Sequence, residues 1–443
     1  MGCTGKKKQI NFMKYHVIVL LAGVILGFSA LILVHLLPCA PMKEHVYWSL
    51  EMIEKEFDDE VLIEGYRATL TGNFTDCLML EHAVYSSDQH GLLGQVLHMY
   101  RSESCAEEGG WWPGHSLKDY LTGTPQPREV SYSRYWHGYL VFLKPLLLLT
   151  SFNTIRLLQA AVQLVFVGAG TVILCRKGAY SLAKALLISL PFLSFVSTYA
   201  SLSLSICFYV MMAAVLIQLK INDILLRRRW YGLFFFAVGM AVAYFDFLTY
   251  PLVTLIYPLG IYLYFCGGNF RKNMSDLLKN SMEWSAGYVG MWAAKWILTD
   301  CLTGSSCIQD ALRTIFVRTG SAEGYSRIKG FFSVLGKNIQ PFLNWCYILI
   351  LVVSAVYILV GALKNAKALK ESVSKMRFDL SGAGAYFVLA LYPLAWYFLA
   401  QNHSEQHWQF TCRILAASVF AVVTGIFKLL EPGVPAQNPK GTL

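Results

Sequence analysis

The apolar positions of this chain come in long runs instead of alternating with polar ones. The sequence is apolar over residues 13–37 and polar to about 134. It is then apolar again over 154–174, 181–199, 202–219, 230–248, 250–267, 282–299, 341–363, 383–400 and 412–430. A helix needs roughly 17–25 apolar residues to cross a bilayer. The pattern predicts an all-α fold, a polytopic transmembrane helix bundle of about ten spans with a long extracytoplasmic loop after the first. No internal repeat and no pair of Gly/Pro-interrupted spans is visible.

Composition agrees. Hydrophobic residues make up 56% of the chain and charged residues 14%, against roughly 25% charged in soluble proteins, which excludes a soluble globular enzyme. The net charge of +10 does not point to nucleic acid, because the basic residues sit in short clusters between apolar runs. Arg176 with Lys177, Arg227 to Arg229, Arg271 with Lys272, and the stretch 364–377 fall on connections that are cytoplasmic if the N-terminus is inside,. This gives a cytoplasmic N-terminus (1–12), a first transmembrane helix (13–37) and an extracytoplasmic loop domain (38–153). Transmembrane helices 2–7 (154–299), a basic extracytoplasmic loop (300–340), helices 8–10 (341–430) and a cytoplasmic tail (431–443) follow. The segment from Tyr135 to Ser151 is apolar but short, and Lys144 and Pro145 break it; it reads as an interfacial or re-entrant helix. The opening Met-Gly-Cys-Thr has Lys6 where a myristoylation signal wants Ser or Thr,.

Eleven cysteines include no CxxC pair and no zinc-like spacing,. Cys39, Cys77, Cys105, Cys301 and Cys307 fall in the outer loops, where disulfides can form, and Cys301 with Cys307 is the nearest pair,. The loop 300–340 is basic although it should lie outside, with Arg313, Arg318, Arg327, Lys329 and Lys337. Anion binding would explain it.

The chemistry-bearing residues gather toward that same membrane face. Asp76 opens a helical-looking stretch that also holds Glu81, with Asp88 beyond it. It either caps a first turn or stands as a carboxylate able to take a proton from a hydroxyl. Asp246 ends an apolar run, where an acid is expensive. Lys295 lies near the outer end of its run between Trp292 and Trp296; it either snorkels to lipid phosphate or binds a substrate phosphate, as Arg313 and Arg318 would. The last outer loop holds Asn402, His403, Glu405, His407 and Arg413. His403 and His407 have the i, i+4 spacing of metal ligands, but Glu405 has the wrong offset for a zinc hydrolase motif. No metal site is expected. There is also no Walker A motif and no dinucleotide-binding glycine motif,.

With these residues in place, the chain is similar to the GT-C superfamily of membrane glycosyltransferases, which take sugar from a polyprenyl-phosphate donor. Three features carry the resemblance: one span followed by a long outer loop with Asp76 early in a helix (FTDCLMLEHA), the short stretch RYWHGYLVFLKP from Arg134 to Pro145, and a later basic outer loop. The stretch NHSEQHWQFTCR also looks like the final loop of bacterial multi-span proteins, of unassigned activity, tied to cell-surface polysaccharide. The resemblance implies inverting hexosyl or pentosyl transfer to a glycan, lipid or protein acceptor on the outer face of a bacterial plasma membrane, with both termini cytoplasmic. In it Asp76 is the base, Lys295, Arg313 and Arg413 receive the phosphate, and His403 and His407 line the sugar site. Glu81, Asp88, Asp246 and Arg318 are further substrate-binding candidates. Cys77 stands beside Asp76 where the family commonly has a second acid, so a divalent metal lacks a clear ligand set. The competing readings are a transporter or flippase of a lipid-linked saccharide, a polysaccharide polymerase or ligase, and an inactive scaffold.

Overall fold

A computed structural model describes residues 3–49, 59–103, 112–125, 128–322, 324–364 and 382–430. Five helices are long and apolar enough to cross a membrane: Met13–His35, Phe152–Arg176, Leu202–Arg228, Gly382–Leu399 and Trp408–Leu430. A sixth is present if Arg327–Phe342 and Trp345–Gly361, which meet at 86°, count as one span. These match six of the expected runs, and the chain is a multi-pass membrane protein. The remaining runs form the shorter apolar helices Tyr180–Leu193, Tyr231–Phe245 and Val253–Cys266, and part of the 34-residue helix Phe270–Thr303.

Burial separates inner from peripheral helices. The most apolar window of Leu202–Arg228 is 67% buried and that of Trp408–Leu430 is 72% buried, against 11% for Met13–His35 and 22% for Phe152–Arg176. The outer two therefore turn apolar faces outward, as lipid-facing helices do. Close backbone contact fixes the middle. A Cβ on Gly239 would lie 2.0 Å from the Trp284 carbonyl oxygen, and one on Gly287 would lie 2.0 Å from the Phe236 carbonyl oxygen. The helices Tyr231–Phe245 and Phe270–Thr303 thus cross glycine to backbone on both sides, the small-residue contact that membrane helices favour.

The polar segment after the first span is a small layer of its own. Helices Cys39–Tyr47, Asn73–Val84, Leu92–His98 and Pro113–Thr122 surround an antiparallel pair, Tyr100–Glu103 with Arg128–Ser131, in which Tyr100 faces Ser131. Its core residues, among them Met42, Met79, Leu80 and Trp136, are continuous with Leu31 of the first helix and Leu140 of the next. Pro113 opens its helix at the first turn, where a missing N–H costs nothing. The sequence from Glu51 to Glu64 is charged and reads as helical; residues 50–58 lie outside the described residues, and the chain from Asp59 to Tyr66 runs as turns with an isolated bridge from Val61 to Leu70.

Leu140–Leu149 is a ten-residue helix, about 15 Å long and too short to cross, as the sequence reading held. The expected basic loop is instead largely helical, as Cys307–Arg318 and Arg327–Ile339. No disulfide joins Cys301 and Cys307, the pair that could have formed one; both are free, as are Cys39 and Cys77. Cys307 is buried and points its thiol at the Ser133 carbonyl, 3.6 Å away. Cys105 lies outside the described residues.

Candidate functional site

Asp76 is 1% exposed and does cap a helix, but one 126 residues further along the chain. Its Oδ2 accepts the Leu202 N–H at 2.9 Å and its Oδ1 the Ser203 N–H at 2.8 Å. These are among the orphan donors that open Leu202–Arg228, where a negative group is favoured by the helix dipole. The helix that carries Asp76 receives its acid from elsewhere: Asp59 Oδ1 accepts the Phe74 N–H at 3.1 Å. Burial pushes both carboxyls above the usual range. For Asp59 the value is about 6, with burial as the main cause, the Phe74 amide opposing it and the neighbouring Asp76 adding to it. For Asp76 burial is again the main cause, opposed first by the charge of Arg156. The Arg156 Nη2 donates to Asn73 Oδ1 at 2.9 Å.

Arg413 adjoins this pair, and its charge favours the ionised form of Asp59. It is 1% exposed and donates to the carbonyls of Gln409, Ala68 and Leu70 and, at 2.7 Å, to Ser197 Oγ. Its Nε has no partner among the described residues. From Ser197 a hydroxyl chain continues at 3.0 Å to Ser194, which lines a cavity of about 620 Å³. The rest of that cavity is mostly apolar, with Leu164, Val167, Leu187 and Ile350 along it and Thr69, Tyr66 and Tyr347 at the polar end. Ser194 has φ 53°, a left-handed residue that breaks the apolar helix between Leu193 and Phe195.

A second group forms around Arg318. Its charge acts on the Tyr135 hydroxyl and, after burial, holds His407 at about 4 and His403 well below the imidazole range. The two imidazole rings are 4.9 Å apart. His403 Nε2 donates to the Leu248 carbonyl at 2.9 Å, and its Nδ1 has no partner among the described residues. Leu248 itself has φ 67°, in the turn that Asp246 organises by accepting from Thr249 N–H and Oγ1 at 2.8 and 2.5 Å. Tyr250 links the groups, since its hydroxyl donates to the Leu204 carbonyl beside the residues held by Asp76, and both Arg413 and Asp246 act on it electrostatically.

Asp76, Asp246 and Arg413 are thereby brought together, with Arg318, His403 and His407 adjoining. The other candidates have different surroundings. Glu81 is buried and accepts from Ser102 N–H at 2.7 Å and Oγ at 2.5 Å, and burial lifts it to about 7. Asp88 and Arg313 are exposed. Lys295 is 0% exposed, so it does not snorkel: it donates to the Leu97 carbonyl at 2.7 Å and stands 5.8 Å over the Trp136 ring. It satisfies the last turn of the helix Leu92–His98, as Lys144 does for Asn73–Val84 through the Ala83 carbonyl at 2.7 Å,.

Sequence reading missed Asp59 and Arg156. Asp59 sits in the acidic run Asp58 to Glu60, which looks like a solvated face, and Arg156 is a cation just inside an apolar run, a signal that could have marked it. Among the described residues no group of three or more His, Cys, Asp or Glu is placed to hold a metal. No protein-family model, no curated protein and no solved structure matches the chain.

Proposed function

We propose that the chain is a membrane glycosyltransferase that moves a sugar from a polyprenyl-phosphate donor to a glycan, lipid or protein acceptor at the outer face of the membrane, within a bundle of about ten spans of GT-C type. The observation that carries this reading is the apolar cavity whose polar end is joined, through Ser194 and Ser197, to the buried guanidinium of Arg413. A lipid phosphate needs that combination: a greasy channel for its isoprenoid and a fixed cation where negative charge develops.

In this reading the acceptor hydroxyl gives its proton to a carboxylate as its oxygen attacks the anomeric carbon. The bond from that carbon to the phosphate oxygen breaks, and the phosphate keeps the electron pair beside Arg413. The product anomer is inverted. Of the two neighbouring acids, Asp59 is half-buried, whereas Asp76 is sealed and gives each oxygen to an amide. The proton therefore goes to Asp59, and Asp76 holds the helix start in place. A carboxyl near 6 suits a base that works near neutral pH.

The test uses the purified chain in proteoliposomes with radiolabelled polyprenyl-phosphate sugar and a cell-envelope glycan acceptor, reading release of free polyprenyl phosphate. Asp59→Asn should lower kcat of the folded fraction about 100-fold with donor binding kept. Asp76→Asn should lower the unfolding midpoint, at a cost of about 1 kcal/mol. Equal turnover in wild type and Asp59→Asn would reject the assignment. The break at Ser194 beside the cavity favours a second reading, a flippase for the same lipid. Movement of labelled lipid between leaflets without any released polyprenyl phosphate would select it.

A further inference from the structure

The helices Cys307–Arg318 and Arg327–Ile339 each present three distinct faces. On the first, Cys307 and Ala311 are buried against the protein. Ile308, Leu312, Ile315 and Phe316 form an exposed stripe at i, i+4, i+7 and i+8, with Phe316 81% exposed. Asp310 and Arg313 occupy the polar face. On the second, Gly330, Val334 and Asn338 are buried, Ile328 and Phe332 are exposed in line with half-buried Leu335 and Ile339, and Lys329 and Lys337 lie on the polar side. Two neighbouring helices with the same division call for one apolar neighbour under both.

The bend identifies that neighbour. Arg327–Phe342 meets Trp345–Gly361 at 86°. If Trp345–Gly361 stands along the membrane normal, the preceding helix lies in the membrane plane. The elbow exposes Leu343 and Trp345, at 68% and 66%, and tryptophan is the residue that settles at the headgroup level. Charge gives the lipid type. Asp310 is the one acid in the two helices, and it is paired with Arg134 at 2.7 Å. Arg327 is engaged with the carbonyls of Thr319 and Leu399, which leaves Arg313, Lys329 and Lys337 exposed.

We propose that these two helices lie in the headgroup layer with their apolar stripes in the acyl boundary, and that Arg313, Lys329 and Lys337 bind anionic lipid headgroups. The inference does not depend on the glycosyltransferase reading. It does have a structural consequence for the site, because the first helix ends at Arg318, beside His403 and His407.

The experiment places a nitroxide at position 316 (Phe316→Cys) or 333 (Ser333→Cys, one turn from both Lys329 and Lys337) of the full chain with Cys301→Ser, in nanodiscs of phosphatidylcholine with or without phosphatidylglycerol; the Cys301→Ser parent supplies the background. The label at 316 should relax with oxygen and be shielded from an aqueous nickel reagent, and the label at 333 should behave in the opposite way. Phosphatidylglycerol retained through native mass spectrometry should fall on reversal of Arg313, Lys329 and Lys337 to Glu. The expected drop is on the order of a hundredfold, at about fivefold per basic residue. A nickel-accessible label at 316, dipolar coupling that shows two chains packed at that face, or lipid retention indifferent to the three reversals would each overturn the proposal.

Discussion

Lys295 and Arg413 are both buried cations, 0% and 1% exposed, and both end on backbone carbonyls, yet their surroundings differ. Around Lys295 the ammonium serves the Leu97 carbonyl, Thr299 Oγ1 returns to the carbonyl of Lys295 itself, and an indole covers the charge. Around Arg413 the guanidinium reaches three carbonyls and a serine and its Nε still has no partner among the described residues, nor have His403 Nδ1 and the Tyr288 hydroxyl in the neighbouring group. A cavity adjoins Arg413 through a chain of hydroxyls. Burial of a charge in a membrane protein is therefore a poor sign of function when taken alone. Incomplete bonding next to open space is a better one, because an unmet buried donor costs about 1–3 kcal/mol that a ligand could recover.

The comparison breaks most sharply at Arg413. Arg413→Lys keeps the charge but cannot serve four acceptors from one planar fork. Sugar transfer should fall by about 100- to 1,000-fold, measured as kcat/KM with the lipid donor; a change confined to thermal stability would make Arg413 a second Lys295. The reverse change is Lys295→Met, which removes the charge but keeps much of the bulk. Loss of the Leu97 carbonyl's partner should cost about 1–3 kcal/mol by thermal unfolding in detergent, with kcat/KM of the folded fraction unchanged. A kinetic effect without a stability effect would bring Lys295 into the site.

The smallest effect is a pH shift. His407 is held at about 4, below its ordinary 6.5, mainly by burial and then by Arg318. Its contribution to stability is thus present above 6.5 and is lost as pH falls through about 4. Arg318→Gln should move that loss to higher pH, read from unfolding midpoints between these values, without reaching 6.5, since burial remains. For Asp59 the sign is opposite. Its folded value of about 6 lies above the ordinary 3.8, so the protonated form favours the fold, and that contribution disappears as pH rises through about 6.

What the sequence disclosed follows from what each residue's partner was. The apolar runs announced their helices because length and hydropathy are local properties, and Asp76 was placed early in a helix because it falls in the first turn of Asn73–Val84. The amides it serves belong to Leu202 and Ser203, and no local pattern names a partner that far away. Lys295 was misread for the same reason. Its tryptophan neighbours suit a lipid interface, and the carbonyl it meets is at the buried end of a helix folded from residues 92–98. His403 and His407 were legible as a pair because four residues separate them, although a helix break falls between them. The i, i+4 pattern gave their proximity, and only the fold brought Arg318 to them.

The hairpin made by Tyr231–Phe245 and Val253–Cys266 has arms of 15 and 14 residues. At 1.5 Å per residue each arm rises about 22 Å, less than the roughly 30 Å of a hydrocarbon core. Where such arms start level with the longer helices at one face, Asp246 and Leu248 at the tip stay within the hydrocarbon depth, and a lipid-borne group would reach them sideways between helices instead of from the water above.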